Sequence, residues 1–309
     1  MSLLYALEGL RSPFLDAVFG AVTYLGDEIV YMAMAVIVYW CFSKPLGYYI
    51  LTSGFTGTIL NQFMKITFRI PRPWVLDHEF QIVESAREAA TGYSFPSGHT
   101  QNAFASFGSL AAWTRRGWLR AVGIAAVLLV AFSRMYLGVH TPLDVGVAFA
   151  MGLALTLALL PLFRDIEEHP GRMYGLIGGM IAICAAYLLY VELWPFPADV
   201  DAANLASARE NGYKLLGAAS GMLLSFWLDR KYIHFDVKAP LAGQILKCVP
   251  GLAAVLAIKS GLKAPLIALL GTGGAADAAR YFLVVLFAAG VWPMTFRFFA
   301  SVGRKKERS

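Results

Sequence analysis

What most limits the fold of this chain is a series of apolar runs near residues 28–42, 46–68, 99–113, 118–136, 143–162, 173–193, 213–228, 245–262 and 281–301, joined by short polar connections. A bilayer span needs about 20 apolar residues. Within lipid, a separate segment satisfies its own backbone N–H and C=O groups only as a helix. Several runs are short, and Gly and Pro interrupt the eighth. The pattern therefore predicts an all-α, polytopic transmembrane helix bundle of eight or nine spans. Charged residues are 15% of the 309, against about a quarter in an ordinary soluble domain. A water-soluble globule of this size could not be coated with so few.

Ahead of the first run, Leu15, Val18, Phe19, Val22 and Leu25 recur at helical spacing beside Arg11, Asp16, Asp27 and Glu28. This predicts an amphipathic interfacial helix over residues 1–27. Met1 to Arg11 lacks the basic, apolar and small-residue order of a cleaved signal peptide. Lys44, Arg115, Arg116, Arg120, Arg164, Arg172, Arg230, Lys231, Lys238 and the tail Arg304, Lys305, Lys306, Arg308 fall on one set of connections. By the positive-inside rule that face is cytoplasmic. The opposite face carries residues 69–98 and the acidic loop with Asp199, Asp201 and Glu210. The formal net charge of +6 thus reads as a topology signal and not as a nucleic-acid surface. Cys41, Cys184 and Cys248 have neither metal-ligand spacing nor a disulfide framework.

Ionisable side chains at membrane depth are costly and point to function. Here they gather at the ends of spans that alternation places on the non-cytoplasmic face. The first cluster is Lys65-Ile-Thr-Phe-Arg-Ile-Pro-Arg72-Pro73; Pro71 should end the helix near Arg69 and leave Arg72 on an extended turn. The second is Tyr93-Ser-Phe-Pro96-Ser97-Gly98-His99. Pro96 suits the first helical position, and the free N–H groups of a helix start bind phosphate. Gly98 permits close approach there and Ser97 adds a hydroxyl. The third is Ser133-Arg134-Met-Tyr-Leu-Gly-Val-His140-Thr141-Pro142-Leu143-Asp144, where Thr141, Pro142 and Asp144 form a capping-box pattern. Asp144 is also close enough to orient the ring of His140.

A neutral histidine held by a carboxylate and facing cations is equipped to attack phosphorus. Asp144 would stabilise the charged ring as the acid does in a Ser-His-Asp triad. Lys65, Arg72 and Arg134 would neutralise the equatorial oxygens, and His99 would protonate the leaving alcohol. Lone cations at span ends otherwise snorkel, so the argument rests on the three clusters together.

These motifs, Lys65-x6-Arg72-Pro73, Pro96-Ser97-Gly98-His99 and Ser133-Arg134-x5-His140-x3-Asp144, resemble those of the type 2 phosphatidic acid phosphatase superfamily, the lipid phosphate phosphatases. The resemblance implies metal-independent hydrolysis through a phosphohistidine, with no cofactor. It assigns His140 as nucleophile, Asp144 as its partner, His99 as acid, and Lys65, Arg72, Ser97, Gly98 and Arg134 as phosphate ligands. The implied substrate is a phosphorylated membrane lipid: phosphatidic acid, phosphatidylglycerophosphate, or a polyprenyl phosphate or diphosphate. The implied location is the bacterial cytoplasmic membrane, with the site on its extracytoplasmic face.

The expected organisation is the interfacial helix (1–27), a catalytic core (28–162), and additional helices with the basic tail (163–309), all in one membrane unit. The extra helices exceed the family's usual six-helix core and would complete a lipid groove, form a homo-oligomer interface, or simply pack. Two other enzyme readings share the chemistry: a phosphotransferase, and a phosphatase of a soluble ester. A phosphate-lipid transporter or binding protein would need the cations but not the His140–Asp144 arrangement.

Overall fold

In the computed structural model, which describes residues 1–301, every regular element among the described residues is helical. In order these are α1 (Ser2–Glu8), α2 (Pro13–Thr23), α3 (Glu28–Cys41), α4 (Lys44–Phe68), α5 (Pro73–Leu76), α6 (Gly98–Ala103), α7 (Ser109–Trp113), α8 (Gly117–Tyr136) and α9 (Pro142–Arg164). Then follow α10 (Pro170–Leu193), α11 (Ala202–Leu228), α12 (Leu241–Gly261), α13 (Lys263–Leu270), α14 (Gly274–Leu286) and α15 (Phe296–Ser301). A π-helical turn, Phe104–Gly108, joins α6 to α7. The tail residues Arg304, Lys305, Lys306 and Arg308 lie outside the described residues.

Among the described residues five helices are long and apolar enough to cross a membrane: Gly117–Tyr136, Pro142–Arg164, Pro170–Leu193, Leu241–Leu270 and Gly274–Ser301. A sixth is reached if Pro13–Gly26 and Glu28–Cys41, bent by 49°, are one broken span. The sequence reading of eight or nine is thus larger than length and composition of the helices support. The reason lies in polar content. α4 has 25 residues and α11 has 27, ample length, but α4 carries Tyr49, Ser53, Gly57, Asn61 and Lys65 at four-residue spacing along one face. In each of the five apolar windows at most 33% is buried. Leu128, Leu129, Leu153, Leu157 and Leu189 point outward, as side chains do when the solvent is hydrocarbon.

The chain divides into two units. The first comprises Met1–Met34, Tyr49–Asp165 and Pro195–Ala208. Its helices approach closely through small residues: a side chain at Gly152 would strike Phe104, and one at Gly57 would strike Gln101. Ala103, Phe104, Val127 and Val130 form one core cluster. A second, Tyr136, Leu137, Val139, Ala86 and Ala90, receives Leu15 and Phe19 of α2. Leu4 of α1 is buried against Phe80 and Ile82.

The second unit comprises Ala35–Tyr48, Ile166–Trp194 and Arg209 onward through the described residues. Several of its buried polar groups are paired locally: Lys44 with Asp229 at 2.7 Å, and Trp40 Nε1 donating to the Ala288 carbonyl at 2.8 Å. The fully buried Lys247 donates to the carbonyls of Asp236 and Val237. Cys41 and Cys248 bring their sulfurs to 3.3 Å, a proximity that their 207-residue separation gave no sign of.

Candidate active site

All eight side chains singled out in the sequence lie in the first unit. α4 ends at Phe68, and Arg69 turns the chain with φ 51°. Arg72 follows in extended conformation, as a residue set between Pro71 and Pro73 must be. Its guanidinium is 6% exposed and spends its donors on the carbonyls of Gly92 (3.0 Å), Thr91 (2.7 Å) and Val139 (2.9 Å). The same Nη1 stands 3.0 Å from Nε2 of His140. Burial lowers the Arg72 pKa to about 10, offset in part by Asp144, so the group stays cationic at neutral pH. Lys65, one turn before the end of α4, donates to the Tyr93 carbonyl.

The 91–97 loop is tied to these elements by its backbone. Ser94 N–H donates to the Ile70 carbonyl (2.8 Å), and Asn61 of α4 donates to the Pro96 carbonyl (3.3 Å). Helix α6 begins two residues later than the sequence suggested. Ser97 is its N-cap, accepting from Thr100 N–H, and Pro96 sits before the cap instead of at the first helical position. The cap wins because Ser97 satisfies an otherwise orphaned N–H, which Pro96 cannot do. Gly98 then opens the helix with nothing within 4 Å of where a side chain would start. His99 follows it within the electrostatic reach of Arg134, Arg72, Lys65 and His140.

At the end of α8, Gly138 takes φ +79°, and the turn returns the N–H groups of Val139 and His140 to the Arg134 carbonyl at 3.2 and 3.3 Å. One residue therefore contributes its guanidinium to the site and its carbonyl to the placement of His140. α9 starts with the full capping box: Asp144 N–H donates to Thr141 Oγ1 (3.2 Å), and Thr141 N–H donates to Asp144 Oδ2 (2.7 Å). Oδ2 also accepts from the hydroxyl of Ser94 and lies 3.5 Å from His140 Nδ1. The other carboxylate oxygen, Oδ1, and the Nε of Arg134 are buried without partners.

The tautomer of His140 follows from its neighbours. A guanidinium can only donate, so Nε2 beside Arg72 is the acceptor and Nδ1 carries the hydrogen, aimed at Asp144 and Ser94. This holds for a neutral ring. Burial, with the positive charges of Arg72, Arg134 and Lys65, keeps the pKa of His140 well below the usual 6.5.

Several contributors were not singled out by the motifs. Ser94 was quoted in the second cluster without a role, because no spacing rule marks a loop serine that folds onto a helix cap 50 residues away. Thr23, at the end of α2, accepts a 2.7 Å hydrogen bond from Arg134 Nη1. Gly26 packs so tightly that a Cβ would meet the His99 carbonyl at 2.6 Å and Val130 at 2.7 Å, and its own carbonyl accepts from Asn102 at 3.2 Å. Arg11 donates to the carbonyls of Tyr136 (3.1 Å) and Gln81 (2.6 Å). The segment before α3 is therefore a wall of the site, beyond its expected place in the interface.

Chemically the constellation offers an unprotonated imidazole nitrogen beside the Arg72 guanidinium, a carboxylate behind the ring, three cations and a helix N-terminus around it, and a second imidazole nearby. Among the described residues no group of three or more His, Cys, Asp or Glu is placed to hold a metal ion.

Comparison with known proteins gives two family matches. Residues 30–168 match the PAP2 superfamily, and residues 213–304 match the PAP2 superfamily phosphatase, transmembrane extension. A probable sphingosine-1-phosphate phosphatase of Dictyostelium discoideum is 28% identical over 263 residues, 78% of this chain and 59% of that protein. An undecaprenyl-diphosphatase of Sulfolobus acidocaldarius is 29% identical over 129 residues, 41% of this chain and 60% of that protein. Phosphatidylglycerophosphatase B of Bacillus subtilis is 30% identical over 160 residues, 47% of this chain and 74% of that protein. The chain spans about three fifths of the length of the first two relatives. No solved structure matches it.

Proposed function

Since this chain belongs to the PAP2 superfamily and carries that superfamily's transmembrane extension, we propose that it is an integral-membrane lipid phosphatase working through a phosphohistidine on His140. The observation that carries this reading is the pairing of Arg72 Nη1 with His140 Nε2 at 3.0 Å, which leaves Nε2 unprotonated and holds a cation beside the nitrogen that would meet the phosphoryl group. In this reading residues 28–162 are the catalytic core, 1–27 the interfacial segment, and 163–309 additional helices. The site opens on the extracytoplasmic face, opposite the Lys/Arg-bearing connections.

Lys65, Arg72, Arg134, the Ser97 hydroxyl and the N–H of Gly98 bind the phosphate, the positive charge of the three cations matching an incoming dianion. His140 Nε2 attacks phosphorus while the bond to the lipid oxygen breaks, and His99 gives its proton to that oxygen. Asp144 faces Nδ1–H and stabilises the ring as it becomes positive. Water then attacks the phosphohistidine, His99 takes the water's proton, and inorganic phosphate leaves with His140 neutral again. No step needs a metal or cofactor.

The named relatives act on sphingosine-1-phosphate, undecaprenyl diphosphate and phosphatidylglycerophosphate. Their common chemistry is a phosphate ester or anhydride on a long hydrocarbon, and that is the substrate class proposed here. The test is phosphate release by the purified full chain from lipid monophosphates and diphosphates in the presence of a chelator. Wild type should turn over at least one of them and His140→Ala none. Full activity of His140→Ala, or dependence on added metal, overturns the mechanism.

A further inference from the structure

Within the second unit, helices of the extension gather cations at one place. Lys214 of α11, Lys259 of α12 and Arg280 of α14 lie 5.8, 6.0 and 5.3 Å from the ring centroid of Tyr281. Lys263 begins α13 four residues after Lys259. Two carboxylates face this group: Glu210 pairs with Lys214 at 2.6 Å, and Asp277 pairs with Arg280 at 2.5 Å. Four cations against two carboxylates leave two positive charges uncompensated. Arg280 is only 7% exposed, and its Nε has no partner. At the end of a membrane helix such charge is costly unless an anion meets it.

The helices that carry Lys259 and Arg280, with the turns that follow them, also flank an open apolar cleft of about 510 Å³, lined by Ile258, Gly261 and Leu262 on one side and Leu283, Leu286 and Phe287 on the other. Lys259 is flanked in sequence by the first set, and Tyr281 precedes the second by two residues. A positively charged end continued by an apolar cleft has the polarity of one kind of ligand, an amphiphile with an anionic head.

We propose that this is a binding site for an anionic phospholipid of the surrounding bilayer, its phosphate among Lys214, Lys259, Lys263 and Arg280 and an acyl chain in the cleft. Basic pockets between membrane helices hold anionic headgroups in this way. The cluster contains no histidine or other activated nucleophile, so the lipid is held and not hydrolysed. The proposal stands independently of the phosphatase reading.

Native mass spectrometry of the purified full chain, exchanged in detergent with phosphatidylglycerol or phosphatidylcholine, tests it. Wild type should retain one phosphatidylglycerol in preference to phosphatidylcholine. Lys259→Gln should weaken phosphatidylglycerol retention about fivefold, the value of about 1 kcal/mol per basic residue, and Lys259→Arg should restore it. Gly261→Leu should lower retention of either lipid, because a side chain there grows into open space inside the cleft and fills it without disturbing the helix. Equal retention of the two lipids by wild type overturns the proposal. So does wild-type retention by both Lys259→Gln and Gly261→Leu.

Discussion

The hydroxyl of Ser94 donates a 2.5 Å hydrogen bond to Oδ2 of Asp144 while standing 3.4 Å from Nδ1 of His140. The carboxylate itself is 3.5 Å from that nitrogen, longer than a strong charge-assisted hydrogen bond. Ser94 therefore shares the space between acid and ring. With the Thr141 N–H on the same oxygen, it fixes which way the carboxylate faces.

Removing that hydroxyl should misplace Asp144 without removing any phosphate ligand. A hydrogen bond to a charged group is worth about 1.5–3 kcal/mol, so Ser94→Ala should lower kcat about 10- to 100-fold and leave KM nearly unchanged. Initial rates on the preferred lipid phosphate decide it. A fall in affinity with kcat intact would mean that Ser94 serves binding.

The pH dependence has a definite sign. Burial and the neighbouring cations hold the His140 pKa well below 6.5 in the folded chain, so the neutral form that the proposed nucleophile requires persists into mild acid, and the acid limb of kcat/KM should fall well below pH 6.5. In the unfolded chain the ring returns to its ordinary value. Below pH 6.5 the unfolded state then binds the extra proton, and stability is lost as pH falls. Thermal midpoints between pH 7 and 5 should drop less for His140→Gln than for wild type. An acid limb centred at 6.5, or identical drops, would contradict the buried neutral ring.

Thr23 acts through Arg134. The isosteric Thr23→Val deletes the acceptor 2.7 Å from Nη1 and leaves a buried guanidinium whose Nε is already without a partner. We expect kcat/KM to fall about tenfold, from about 1.4 kcal/mol, with recovery in Thr23→Ser. Added to Arg134→Lys, Thr23→Val should cost little more, since coupled residues are not additive. Equal losses for Val and Ser would reduce Thr23 to a packing residue.

The sequence carried some of these relationships and not others. Cap chemistry is local, so Thr141, Pro142 and Asp144 could be read directly, as could the break between Lys65 and Arg72 imposed by Pro71. Pro96 misled because two start signals compete within two residues, and only backbone geometry decides between a proline and a serine cap. Thr23, Gly26 and Arg11 were unreadable, since what matters is which helix ends they touch more than 70 residues away. The polar face of α4, which carries Asn61 and Lys65, sets this helix apart from the candidate spans although the sequence reading counts one over residues 46–68.

Gly138 gives the sharpest test of how the His140 turn is built. Its φ of +79° disfavours any residue with a Cβ. That Cβ would also meet Arg11 Nη2 at 2.7 Å and the Phe80 ring at 2.9 Å. Gly138→Ala should therefore destabilise the chain by about 1–2 kcal/mol from backbone conformation alone, lower the thermal midpoint, and reduce kcat by displacing His140 two residues on. Gly146→Ala is the matched control: that glycine is helical in α9 with nothing within 4 Å of a new methyl group, and alanine there should gain up to about 1 kcal/mol. If the two substitutions behave alike in midpoint and rate, the turn does not depend on the left-handed glycine, and the Arg134 carbonyl alone holds His140 in place.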